Sequence, residues 1–253
     1  MGYFTDEDFD TFRSEYVETR TKDIMDRRKI IQSKLLEIND DLKKTVRSKY
    51  NLHPHWKDEN VTSLLFPCEY NHGKVTWVGL RYGRSKKEIA LLNEGRNLND
   101  LYLGFQKYNC FQIDLSLDGL DMGIYHSVPH DAVDRMYVQE YIDDLKFRTD
   151  LGHCLNSLIG YGYVFSVGRL GAVSNSWETI NFEFDRYIEG NILEEFVKFY
   201  KENVTDGVHS SLLYHYPRYD ERIQTIEDIE KEYLKHIDRL FEFYRTISWS
   251  VRV

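Results

Sequence analysis

The feature that most limits what this chain can fold into is a helix-period run between residues 22 and 49, which contains neither Gly nor Pro. Ile24, Ile31, Leu35, Ile38, Leu42 and Val46 recur at three-, four- and seven-residue steps. That spacing predicts one long amphipathic helix with a single apolar face. A second such run covers 226–247, with Ile226, Ile229, Tyr233, Ile237, Leu240, Tyr244 and Ile247 on one side. Thr225 is placed to cap it, with Asp228 three residues on. Each face can serve as a core seam or as a self-association seam. A short acidic helix is expected over 6–18, with Thr5 as its cap.

Between the long helices the period changes. Ser63–Phe66 and Lys74–Arg81 read as strands joined by a turn at Asn71-His72-Gly73. Cys110–Leu117 alternates cleanly, turns at Asp118–Asp121 and returns over Met122–Val128. Gln112, Asp114 and Ser116 share its polar face. Helices are expected over 130–146, with Val133, Met136, Tyr137, Tyr141 and Leu145 on one side, and over 150–159. Later come strands at Tyr163–Val167 and Thr179–Phe184, and a helix over 190–204. Strands connected at hairpin length, with helices segregated from them, predict an α+β fold around a central, mostly antiparallel sheet. The chain reads as one domain: a helical segment over 1–50, a sheet region over 63–184, and C-terminal helices over 190–247.

Composition narrows the setting. Aromatic residues make up 15% of the 253, with only 4 Pro, which excludes proline-rich and low-complexity classes. Three cysteines, Cys68, Cys110 and Cys154, form no paired motif, so a reducing cytoplasm is expected. The acidic start carries no secretory signal pattern, and no run approaches the apolar length of a membrane span.

The net charge of −9 is unevenly spread. Residues 74–87 hold Lys74, Arg81, Arg84, Lys86 and Lys87 with no acid, whereas 178–253 hold sixteen acids and ten bases. A basic strand end with a Gly suits a compact anion: forked Arg donors, Lys point charges, and Tyr82 or Trp77 for stacking. The leading expectation is a non-enzymatic binding module with Trp77, Arg81, Tyr82, Arg84, Lys86 and Lys87 contacting a nucleotide or short nucleic acid, and no cofactor. The short basic run and the acidic total argue against general duplex binding. One alternative is a metal-dependent phosphoesterase or nuclease built from His53, His55, His72 and Asp114, with Glu69 near by. Another is an inhibitor or accessory factor that meets a basic protein partner through its acidic C-terminal helices. Arg148 and His153 match a spacing found in helical ribonucleases, but here they sit in a mixed α+β pattern. Walker, Rossmann and nucleophile-elbow motifs are absent.

Several segments together resemble the YktB-like family of uncharacterised bacterial proteins. They are Phe4–Asp10 at the start, the long basic helix, Thr76-Trp77, Arg81–Lys87, Phe111–Ile113, and Leu240-Phe241 in the last helix. The chain departs from that family in an insertion over 88–109, an extended 130–200 region, and the lack of paired histidines before the first strand motif. What the resemblance implies is a single α+β domain; it brings no activity with it.

Overall fold

A computed structural model describes residues 2–54, 61–68, 71, 73–94, 107–126, 132–170, 177–187, 190–204 and 209–250. Helices α1 (Asp6–Asp10), α2 (Lys22–Tyr50), α3 (Lys86–Leu92), α4 (Val133–Tyr141), α5 (Leu145–Asn156), α6 (Ile192–Asn203) and α7 (Ile226–Thr246) accompany seven strands. The strands are β1 (His53–Pro54), β2 (Trp77–Gly83), β3 (Cys110–Ser116), β4 (Gly119–His126), β5 (Val164–Leu170), β6 (Trp177–Glu183) and β7 (His209–Pro217). They form one antiparallel sheet in the order β1-β2-β3-β4-β7-β5-β6, so the class is α+β. Among the described residues no helix is long and apolar enough to cross a membrane. The chain divides into two compact units.

The first unit comprises Met1–Ser85, Gln112–Met122 and His215–His236. The apolar stripe of α2 is buried along its whole length, from Ile24 to Val46, and α2 packs on β2. Strand alternation turns Val78, Leu80 and Tyr82 to one face and Trp77, Gly79 and Arg81 to the other. Asn51, in the left-handed conformation at φ 55°, ends α2 by donating its N–H to Arg47 and Val46. Thr5 caps α1 in a capping box with Asp8.

The helix expected over 6–18 stops at Asp10. The carbonyls of Tyr16 and Thr19 accept instead from the buried guanidinium of Arg28, at 2.8 and 3.2 Å. Arg28 also holds the Leu65 carbonyl at 3.1 Å, which helps explain why Ser63–Phe66 is no strand. Only Thr62 bridges to β2, opposite Leu80. In the sheet β2 lies between β1, with His53 opposite Gly83, and β3.

The second unit comprises Lys86–Phe111, Gly123–Tyr214 and Ile237–Val253. Strands β5 and β6 pair from Val164↔Glu183 to Leu170↔Trp177, and α5 packs on α6. Much of the aromatic excess gathers here. Phe165 and Phe196 lie 5.0 Å apart between ring centroids, Phe182 and Phe199 5.5 Å, and Phe182 stacks on Tyr187 at 4.5 Å. The helix expected over 130–146 is two helices, because Asp144 accepts from the Phe147 N–H at 2.9 Å and starts α5 afresh. Its buried side is Val133, Asp134, Arg135 and Val138, while Leu145 is 81% exposed. Three elements carry no expectation from the sequence: β1, α3, which grows out of the basic run, and β7, which lies inside the sheet between β4 and β5.

Candidate functional site

The apolar seam of α2 is core in the first unit, and Ile229, Tyr233, Ile237, Leu240, Tyr244 and Ile247 of the α7 seam are buried, which leaves the opposite face of the sheet as the place to look for chemistry. In the first unit this face is unusually polar and unusually buried. Arg81 is 2% exposed, Gln112 2% and Asp114 6%. Charged groups are rarely so enclosed unless an ion pair or a ligand compensates them.

The Arg81 guanidinium lies 4.9 Å from the centre of the Trp77 ring, a cation–π contact that fixes a long side chain against the sheet. Asp114 stands beside Gly79 on the neighbouring strand. A Cβ at position 79 would come within 2.2 Å of both Asp114 Oδ1 and the Ile113 carbonyl, so only glycine lets the carboxyl sit there. Burial pushes the Asp114 carboxyl up to about 7; Arg81 draws it down and Asp121 adds to the rise. Among the described residues Asp114 Oδ1 and Gln112 Oε1 have no hydrogen-bond partner. A buried acceptor without a partner costs about 1–3 kcal/mol.

Farther along the same face, His215 Nδ1 lies 2.9 Å from Asp121 Oδ1. That hydrogen bond raises the imidazole pKa, against a smaller opposing effect of burial. The other face of β7 carries a closed network: Tyr216 donates to Glu232 at 2.6 Å and lies 2.7 Å from His236 Nε2. Burial alone would raise Glu232, but its bonds from Tyr216 and Lys235 hold it below the usual carboxylate range.

The basic run is dispersed by this geometry. Trp77 is half-buried and Arg81 is buried beside it. Arg84 is buried as well, whereas Lys86 and Lys87 are exposed and open α3 in the second unit. Tyr82 faces the opposite way: it is fully buried, donates to Asn39 Oδ1 at 2.6 Å, and has its ring 6.2 Å from that of Tyr233. It holds strand to helix and is not placed to stack on a ligand.

Of the metal candidates, His53 lies on β1 with Nε2 3.3 Å from Asn51 Oδ1. It is two strands from Asp114. His55, His72 and Glu69 lie outside the described residues. Among the described residues no group of three or more His, Cys, Asp or Glu could hold a metal ion. Arg148 is in an ion pair with Glu194. The Asp121–His215 pair went unread because it needs β7, a strand that the sequence pattern does not announce.

No protein-family model, curated protein or solved structure matches this chain.

Proposed function

We propose that the chain is a binding module for a small anion-bearing ligand of the nucleotide class, anchored by Arg81 on its Trp77 platform. The observation that carries this reading is a buried guanidinium held over the Trp77 ring at 4.9 Å. The polar floor of Gln112 and Asp114 lends the site further hydrogen-bonding capacity. Cys68, Cys110 and Cys154 are thiols outside any disulfide, which fits the cytoplasmic setting that we propose with it. Kinship with the YktB-like proteins is put forward on the motifs quoted above alone.

Arg81→Ala tests the reading. It is expected to weaken binding of nucleoside monophosphates by about tenfold or more in calorimetry. Unchanged affinity would remove Arg81 from the site.

A hydrolytic second reading draws on one observation, the Asp121–His215 pair, in which a carboxylate orients an imidazole as in a general-base dyad. Any hydrolysis of a bound phosphoester should then fall in His215→Gln while binding persists. Turnover unchanged by that substitution would end the reading.

A further inference from the structure

The sheet ends in two unlike edge strands. β1 has two residues and finishes on Pro54, which lacks the N–H that a longer ladder would need. β6 has seven, and it pairs with β5 residue for residue from Val164↔Glu183 to Leu170↔Trp177, so no bulge interrupts it. Trp177–Glu183 contains no Pro, Lys or Arg. A bulge, a proline or a lysine is the usual device that keeps an edge from recruiting another strand. Thr179, Ile180 and Phe182 favour extended backbone. Phe182 anchors the strand from beneath, 4% exposed and set edge-on against the Phe184 and Phe196 rings. Glu178, Thr179 and Asn181 are exposed, and among the described residues no strand pairs with β6 on its outer side. The strand is thus held straight by β5 and α6 with one row of N–H and C=O groups turned outward.

We propose that β6 pairs with β6 of a second copy of this chain, antiparallel about a twofold axis at Ile180, joining the two sheets into one. Successive residues send their backbone groups to alternate sides of a strand, so antiparallel edge partners related by a twofold axis must differ by an even number of positions. The register centred on Ile180 meets that condition and engages all seven residues. It sets Trp177 opposite Glu183 of the second copy, Glu178 opposite Phe182, Thr179 opposite Asn181, and Ile180 opposite itself. Charge selects the direction. In this register neither Glu178 nor Glu183 faces a carboxylate, whereas a parallel, in-register pairing would set each against its own copy, which is unfavourable. The twofold arrangement uses the same edge on both chains, so assembly closes at two.

Sedimentation equilibrium on the full chain between about 1 and 100 µM tests this. The mass is expected to approach that of two 30.3-kDa chains at the upper end and to fall toward one on dilution. Thr179→Lys combined with Asn181→Lys sets like charges opposite each other on both sides of the axis, and should raise the dissociation constant by about tenfold or more. Thr179→Lys combined with Asn181→Glu turns the same contacts into ion pairs, and should return it to within about threefold of the wild-type value. Both double variants change the same two exposed positions, so a simple loss of β6 structure would weaken both alike. A chain that stays monomeric throughout, a dimer indifferent to the lysine pair, equal dissociation of the two variants, or growth beyond two chains would each overturn the proposal.

Discussion

Two buried aspartates, one in each unit, show how differently the same side chain can be used. In the second unit Asp134 is fully buried and accepts from the Asn109 N–H at 2.7 Å and the Trp249 N–H at 2.8 Å. Asn109 in turn donates to the Ile247 carbonyl and Ser248 Oγ, both at 3.0 Å. That carboxylate is a clip that ties the start of β3 to the chain beyond α7. In the first unit Asp114 is nearly as buried, yet its Oδ1 meets no donor among the described residues and its pKa stands near 7. A buried charge with complete hydrogen bonding is a structural part. A buried carboxyl whose Oδ1 meets no donor among the described residues opposes folding.

The contrast breaks most easily at Asp134. Asp134→Ala should strand two buried backbone donors and destabilise the protein by about 3–5 kcal/mol, read from denaturant unfolding. A loss below about 1 kcal/mol would mean that the clip is not structural.

At Asp114 the effect has the opposite sign and depends on pH. Its folded pKa of about 7 lies above the ordinary aspartate value of 3.8, so the native state holds this proton more tightly than the unfolded chain does. The contribution of Asp114 to stability should be fullest below pH 4, decline as pH rises from 4 to 7, and stay lost above that. Asp114→Asn should flatten this part of the profile and stabilise the protein at pH 8 by up to about 4 kcal/mol. An Asp114→Asn protein less stable than wild type at pH 8 would show that Asp114 is a clip like Asp134.

A smaller change of the same sign is expected at Glu230, whose carboxyl burial and the charges of Asp41 and Glu227 push up to about 7. Being partly exposed, it is screened, and Glu230→Gln should give only a slight gain in melting temperature above pH 7. A gain as large as that of Asp114→Asn would erase the distinction between an enclosed and a screened carboxyl.

Much of this was legible in advance where a pattern needs only one element. The seams of α2 and α7, the Thr225–Asp228 cap and the alternation of β3 each follow from short-range geometry, and the cap is present at 2.9 and 3.1 Å. The basic run was legible as charge, but not as position. Alternation on β2 sends Arg81 and Tyr82 to opposite faces, and α3 carries Lys86 and Lys87 into another unit. The face of α4 was misjudged because it buries Asp134 and Arg135, polar residues that an apolar period does not mark, and leaves Met136 and Tyr141 exposed. Strand β7 went unread although it is central to the sheet, and with it the Asp121–His215 pair.

By itself, then, the sequence determined the long helices, the β3–β4 hairpin and the α+β class, because hydrophobic period and capping act over a few residues. The fold alone decided which polar groups are enclosed. Burial of Asp114 and its pKa depend on strands that meet only in the sheet, with Gly79 on one side and Asp121 on the other. The −9 charge and the basic run measure how much charge there is; solvent exclusion, a property of the packed chain, decides where it acts.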